Sequence, residues 1–482
     1  MKFFGKIIIL ACAVLALNSC FFDAKPDTPE EESALSIKYV NQYAFNVMSV
    51  YYLWKDEIKE GLESWMTNDD PKEKVKAIRY KDASGKDIDR WTQLTDDYLG
   101  FVQSIEGVSS TYGYEFTLFY TSPSKDFVAV VVTFVYADSP AEKAGLKRGD
   151  AIVEVDGAPI PMSDYSEIIK NKLMNSARCS IKLSDGRTAS MTAVEMYCNP
   201  VHIAKVFDCG GKKVGYLHFT AFTLGACEDL IKVCHDFKAQ GVSELILDLR
   251  YNGGGYVATE EVLASMLAPE ANVIAGDLFM TEVYNDILSN AKDGFESDTF
   301  FKNKFNLDGK KYDTSNDNLG LTKIYAILTG NSASASEAIV CGLKPYTNLT
   351  IIGQQSYGKY CSGVVIEGAN WYENYKNELK ARDYKNGVKY AANWGLYVMI
   401  GRYADKDGIT GCMPDGFAPD VEVADAPLDG YQLGDPNETM LKTALTLAGY
   451  EYPAELKSIK KKPAAICGPA SPKRESFGVF LH

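Results

Sequence analysis

From Ser36 to about Leu99, apolar side chains recur at three- and four-residue steps: Tyr39, Tyr43, Val47, Tyr51 and Trp54. Such steps place them on one face of a helix, and an aromatic stripe of this kind is foremost a packing surface. Near Tyr112 the period changes. Residues 127–134 form a β-rich apolar run, and residues 151–155 read as a strand ending in a tight Asp156-Gly157 turn. Between them, Ser139 and Pro140 open a short helix that Gly145 closes. From Lys213 onward, strand-like and helix-like stretches alternate. Residues 214–219, 245–250, 324–328 and 349–353 are apolar strands, and 226–238 reads as an amphipathic helix. The pattern predicts an α/β core behind a small β-rich domain and a helical N-terminal region. Residues 276–318, polar and irregular, read as an insertion, and 463–482 as a loose tail.

The first 19 residues form a separate signal: Lys2 and Lys6, an apolar run over 7–17, then Leu17-Asn18-Ser19-Cys20. The run is too short to span a bilayer and reads as an export leader. It resembles a bacterial lipobox, which implies that Cys20 becomes a lipidated first residue. Residues 20–35 are polar and read as a tether. The expected location is the cell envelope, with the lipid bilayer a partner through Cys20.

Composition then removes whole classes. The net charge of −14 argues against nucleic acid as a partner. Four histidines, none paired at zinc-ligand spacing, and the absence of a CxxC leave no metal site in the sequence, and no cofactor is implied. Removing the leader and lipidating Cys20 leaves nine of the 11 cysteines, an odd and scattered set that is not a disulfide framework.

With so few histidines, a nucleophile needs another base. Asn331-Ser332-Ala333-Ser334-Ala335-Ser336-Glu337 follows a buried strand directly and presents three hydroxyls at a helix start. Lys359 follows the next strand and a Tyr357-Gly358 turn. A lysine in water has a pKa of about 10.4, and bringing one near neutrality costs about 4 kcal/mol, which an apolar pocket supplies. A Ser/Lys pair therefore requires a buried lysine. An oxyanion needs N–H donors: the residue after the nucleophile, Ala335, and the glycine loop, at Gly254 or Gly255. His218, alone in an apolar strand, reads as a core residue rather than a base.

Three blocks occur in order: Asp248-Leu249-Arg250-Tyr251-Asn252-Gly253-Gly254-Gly255, then 332–337, then Tyr357-Gly358-Lys359. Together they resemble the C-terminal processing (tail-specific) peptidases of family S41, in the lipoprotein form with a PDZ domain. Residues 137–157 resemble a PDZ domain of bacterial processing proteases, and 413–421 the family's closing proline-aspartate strand. The resemblance implies a catalytic core of the ClpP/crotonase-like α/β kind and no cofactor. It places the nucleophile at Ser334 and the base at Lys359, with Arg250 and Glu337 as supporting residues. It makes Tyr112, Gly113 and Tyr114 the turn that holds a terminal carboxylate. Where the family often has a glutamine or glutamate to orient the lysine, this chain has Gly363, with Gln354 and Gln355 as nearby candidates.

The expected organisation is a lipoprotein leader over 1–19, a tether over 20–35, a helical region over 36–108 and a PDZ-like domain over 109–200. A peptidase core follows over 201–430, with its insertion at 276–318, and a C-terminal helix and tail over 431–482. The expected function is a serine endopeptidase acting on exported polypeptides with unfolded or exposed C-terminal tails. The alternatives are a catalytically impaired binding lipoprotein on the same scaffold and a surface scaffold protein.

Overall fold

The computed structural model describes residues 28–59, 61–291, 298–300, 303–307, 309–452 and 468–469. The leader, Cys20 and most of the tail lie outside the described residues. Two compact units emerge.

The first unit takes its described residues from 1–102, 278–298 and 360–410. Helix α1, Pro29–Tyr51, starts where the Thr28 hydroxyl accepts the Glu31 N–H (3.2 Å), with Glu30, Glu31 and Glu32 in its first turn. Both features favour initiation at the positive end of the helix. The predicted stripe is its buried face: Tyr39, Tyr43 and Val47 are fully buried and join Trp371, Tyr372, Leu396 and Val398 in one core. Trp54 lies beyond the helix end and is only partly buried. The rest of the expected helical region is less regular. It holds the short α-helices Leu62–Trp65 and Pro71–Ala77, then strand Gln93–Thr95 and the helix Tyr98–Ile105. That strand pairs antiparallel with Gly395–Ala404. The expected insertion is also divided. Leu278–Tyr284 pairs with Gly395–Ala404 in this unit, whereas the hairpin of Lys304–Leu307 and Lys310–Asp313 belongs to the other. Only Phe279 and Met280 of Leu278–Tyr284 are buried, too few to give a strand signal in sequence.

Besides two two-stranded pairs, the described residues of the second unit form two larger sheets. In the first, β1 (Tyr114–Tyr120) pairs antiparallel with β2 (Phe127–Val135), and Ala158–Pro161, Ala151–Val155, Arg178–Leu183 and Thr188–Thr192 follow. Ser139 caps the helix Pro140–Lys143 by accepting the Glu142 N–H (3.1 Å), as its sequence predicts. Asp156 and Gly157 both adopt positive φ, the geometry of a tight hairpin turn. The second sheet runs β3 (Val201–Cys209), β4 (Lys212–Phe219), β5 (Val242–Asp248), β6 (Lys323–Leu328), β7 (Asn348–Gly353), β8 (Val421–Glu422). The β3–β4 pair is antiparallel and every later pair is parallel. Helices α2 (Cys227–Ala239), α3 (Val257–Leu267) and α4 (Ala335–Leu343) lie between the strands in sequence, and α5 (Thr439–Leu447) packs on the sheet core through Met440, Leu441, Ala444 and Leu445. Loops at the carboxyl ends of parallel strands are where such folds build sites. Both the glycine loop, after β5, and the serine motif, after β6, leave from those ends.

Candidate active site

The turn from β6 into α4 separates the three serines. Ser332 donates its hydroxyl to the Leu249 carbonyl (2.9 Å) and accepts the Thr329 N–H (2.9 Å). Ser336 donates to the Asn252 carbonyl (2.9 Å). Both are fully buried and fasten this turn to the glycine loop; neither is a helix cap. Ser334, between them, has φ 58° and is the N-cap residue of α4. Non-glycine residues with positive φ store strain of about 1–3 kcal/mol, and such strain gathers at functional sites.

The glycine loop lies directly against this serine. A Cβ on Gly254 would come 2.7 Å from the Ser334 Cβ and 3.0 Å from the Ala335 nitrogen. No residue larger than glycine fits there without displacing the serine turn. The Gly254 N–H, expected as an oxyanion donor, is instead donated to Asn252 Oδ1 (2.9 Å). Asn252 is fully buried and fixes the loop by donating to the Phe219 carbonyl (2.9 Å). Among the described residues, the Gly255 and Ala335 N–H groups are donated to no protein acceptor. Ala335 is also the first residue of α4, so its N–H adds the positive end of a helix to the site.

Lys359 is 1 % exposed. The feature that joins it to the serine turn is Glu337. One carboxylate oxygen, Oε2, accepts the backbone N–H of both Ser334 (3.1 Å) and Lys359 (2.8 Å). The other, Oε1, accepts the Gly358 N–H (2.7 Å) and the Ser356 hydroxyl (2.5 Å). Burial pushes the Glu337 carboxyl above the usual range, and these four donors oppose that rise. Ser356 in turn accepts the Phe417 N–H (2.7 Å), and the backbone of Pro414–Gly416 packs closely on Gly358. The segment expected only as a closing strand therefore also braces the lysine turn. Sequence reading missed Ser356, which carries no signal beyond standing three residues before the lysine.

The orienting candidates near Lys359 lie elsewhere. Gln354 and Gln355 are exposed, and Gln355 donates to the Asp415 carbonyl (2.8 Å). Gly363 belongs to strand Cys361–Glu367 of the first unit, where an added Cβ would come 2.4 Å from Met399 Cε and 2.9 Å from the Tyr397 ring. A glutamine there would have to displace the Met399 methyl and the Tyr397 ring.

Beneath the glycine loop is a buried ion network. Arg250, fully buried, donates Nη1 and Nη2 to Glu438 (2.7 and 2.9 Å) and Nε to both oxygens of Asp248 (3.0 Å each). Arg148, from the β1–β2 domain, donates to Asp425 (2.7 Å), to the Tyr251 hydroxyl (2.8 Å) and to the Thr133 carbonyl (3.0 Å). Tyr251 donates to Asp425. Burial pushes the carboxyls of Asp425 and Glu438 up, but the two guanidiniums outweigh it and hold both below the usual carboxylate range. Asp248 is raised, with burial dominating over Arg250. Arg250 thus supports the loop through its root.

His218 is turned away from any role as base. It is fully buried, with its Nδ1 2.9 Å from Nδ1 of His202, whose Nε2 is 3.3 Å from the Val135 carbonyl. A carbonyl only accepts, so His202 is protonated at Nε2 and His218 supplies the shared Nδ1 proton. At the expected carboxylate turn, Tyr112 and Tyr114 are buried. Tyr112 donates its hydroxyl to the Ser176 carbonyl (2.7 Å), and the Gly113 N–H is donated to Thr111 Oγ1 (3.0 Å). Among the described residues, no cluster of histidine, cysteine and carboxylates is arranged to hold a metal, and no helix is long and apolar enough to cross a membrane.

The parallel α/β core thus presents a serine at a strained strand-to-helix turn, a glycine loop against it and a buried lysine whose backbone is tied to the same turn through Glu337. The family model for peptidase family S41 matches residues 213–423, and that for a PDZ domain matches residues 131–175. Among characterised proteins, the chain is 26 % identical over 254 residues to the chloroplastic C-terminal processing peptidase of Tetradesmus obliquus, covering 49 % of each chain. It is 24 % identical over 236 residues to the carboxy-terminal processing protease CtpB of Bacillus subtilis, covering 48 % of this chain and 44 % of that one. The chain spans about half the length of these curated relatives. Its fold is shared with a crystal structure from Bacteroides fragilis assigned to the S41 proteases, with TM-score 0.62 and 21 % identity over 89 % of this chain and 98 % of that one. The core over 213–423 is thus similar to peptidase family S41, and the segment 131–175 before it to a PDZ domain.

Proposed function

We propose that this chain is a serine endopeptidase in which Ser334 is the nucleophile and Lys359 its base. The Lys359 amine takes the Ser334 hydroxyl proton as Oγ attacks a peptide carbonyl. The N–H groups of Gly255 and Ala335 stabilise the resulting oxyanion. The protonated lysine then gives its proton to the departing amine, and water releases the acyl group from the serine by the same steps. The observation that carries this reading is the single Glu337 oxygen that accepts the backbone N–H of both Ser334 and Lys359. Glu337 takes the part of the orienting residue that Gly363 does not supply. Substrates are polypeptides whose exposed C-terminal tails add as a strand to the PDZ sheet.

Incubation with a denatured reporter protein tests the dyad. Ser334→Ala and Lys359→Ala are each expected to lower cleavage by about 10³-fold or more. Cleavage that persists in either variant sinks the assignment, and tail binding without cleavage by the wild type favours the binding-protein alternative.

We also propose that the mature chain is anchored to the cell envelope by lipid on Cys20. The basic start, the apolar run over 7–17 and the small residue before Cys20 support it. A chain with Cys20→Ser should lose fatty-acid labelling and leave the membrane fraction; labelling that survives the substitution overturns it.

A further inference from the structure

The outer edge of β1 is where a bound tail would pair, and the chain has already placed part of itself there. Gly468 and Pro469 form a short strand antiparallel to β1, with Gly468 opposite Tyr120 and Pro469 opposite Phe119. On its other side β1 is covered by β2, and among the described residues nothing else pairs with the outer edge. A free strand edge is a template for any chain that reaches it, and proline is tolerated at such an edge because it need donate nothing.

Direction makes the contact informative. The segment enters beside Tyr120 and advances toward Phe119, so its C-terminal direction leads along β1 toward the Tyr112-Gly113-Tyr114 turn. A tail seeking that turn with its terminal carboxylate must enter by the same end and run the same way. A tail that reaches back past Leu118 along that edge meets the positions Phe119 and Tyr120 that this segment already occupies.

We propose that the Gly468–Pro469 segment is an intramolecular competitor for the peptide-accepting edge of the PDZ domain, displaced when a substrate tail binds. A competitor tethered in the same chain acts at an effective concentration of roughly millimolar, enough to screen out weak tails while strong ones displace it. The inference rests on the tail-recognition part of the proposed function and not on the dyad, so it is tested by binding in a Ser334→Ala background.

In the full chain with Cys467→Ser, Tyr120→Cys and Gly468→Cys are combined and oxidised, and the cross-link is mapped by mass spectrometry. In-register trapping is expected to exceed that of Phe116→Cys with Gly468→Cys by roughly tenfold. A fluorescent peptide of residues 463–482 then reports on the edge. The cross-linked chain should bind it about tenfold more weakly than the same sample after reduction, following the competition arithmetic of a tethered ligand. Equal trapping in both registers, equal affinity before and after reduction, or no peptide binding to the reduced chain would each overturn the proposal.

Discussion

The two units bury their polar groups in different ways. The core of the first is aromatic: Tyr39, Tyr43, Trp371, Tyr372 and Tyr375 pack edge to face or tilted around α1. Buried polar groups there meet neutral partners: the Tyr43 hydroxyl donates to the Ile366 carbonyl and accepts the Leu396 N–H (2.9 Å), and Asp89 accepts the Tyr52 hydroxyl (2.8 Å). The second unit buries charge. Arg250, Asp248 and Glu438 are all fully buried beneath the glycine loop. Apolar packing tolerates small rearrangements, because dispersion and burial have no direction. A buried ion network has only one satisfied geometry, and its cost is met only while every member is present. The difference suits the position of the charged network, at the root of the glycine loop whose N–H groups are proposed to be aimed at an oxyanion.

Breaking each region at one group tests the contrast with the largest effect. Arg250→Met leaves Asp248 and Glu438 buried without their main partner. It should lower stability by about 3–5 kcal/mol, measured by denaturant unfolding. Tyr43→Phe removes one hydroxyl from the aromatic core and should cost only about 1–3 kcal/mol. If the tyrosine change costs as much as the arginine change, the contrast fails.

Much of this architecture was legible from sequence. The helix stripe, the capped PDZ helix, the Asp156-Gly157 hairpin and the strands around the serine motif were each written in local periodicity or turn residues. The same locality explains what was not. Arg148 meets Asp425 across 277 positions and Glu438 across 290, and no spacing rule connects such residues. The recruitment of 278–298 and 360–410 into the first unit was hidden for a like reason, because it is decided by pairing with Gly395–Ala404 and not by the segments themselves. The Gly254 N–H was misjudged because only the fold shows that Asn252, two residues before it, turns back to accept it.

A smaller effect sharpens the comparison inside the charged unit. Glu337 accepts from four donors with two oxygens. In Glu337→Gln one of those oxygens becomes an NH₂ group that faces donors. The lysine turn should shift relative to Ser334 by a fraction of an ångström without unfolding. A misplacement on the ångström scale costs about 10²-fold in rate. The expected result is a kcat/KM lower by about that factor with an unfolding midpoint close to wild type. Unchanged activity would remove Glu337 from the positioning role.

The smallest effect comes from the histidine pair, which borders both chemistries. His202 and His218 pack on the Phe134 ring, and Arg148 and Arg250 lie nearby. Burial pushes His202 down to about 4, the Val135 carbonyl only partly opposing it. Burial, His202 and then the two arginines push His218 well below its ordinary value. Both are therefore neutral in the folded chain at pH values where the unfolded chain, near 6.5, begins to protonate. Between those values the unfolded state binds more protons, so stability rises with pH. The pair's contribution is complete above about pH 7 and is lost as pH falls from 6.5 toward 4. From pH 7.5 to 5, His202 alone accounts for about 2 kcal/mol. Denaturant unfolding at both pH values measures it against a chain carrying His202→Gln and His218→Gln. The substituted chain should lose at least that much less stability over the interval, because neither glutamine gains a proton. An equal loss in both chains would mean that carboxylates elsewhere, and not this buried pair, set the acid limit of the second unit.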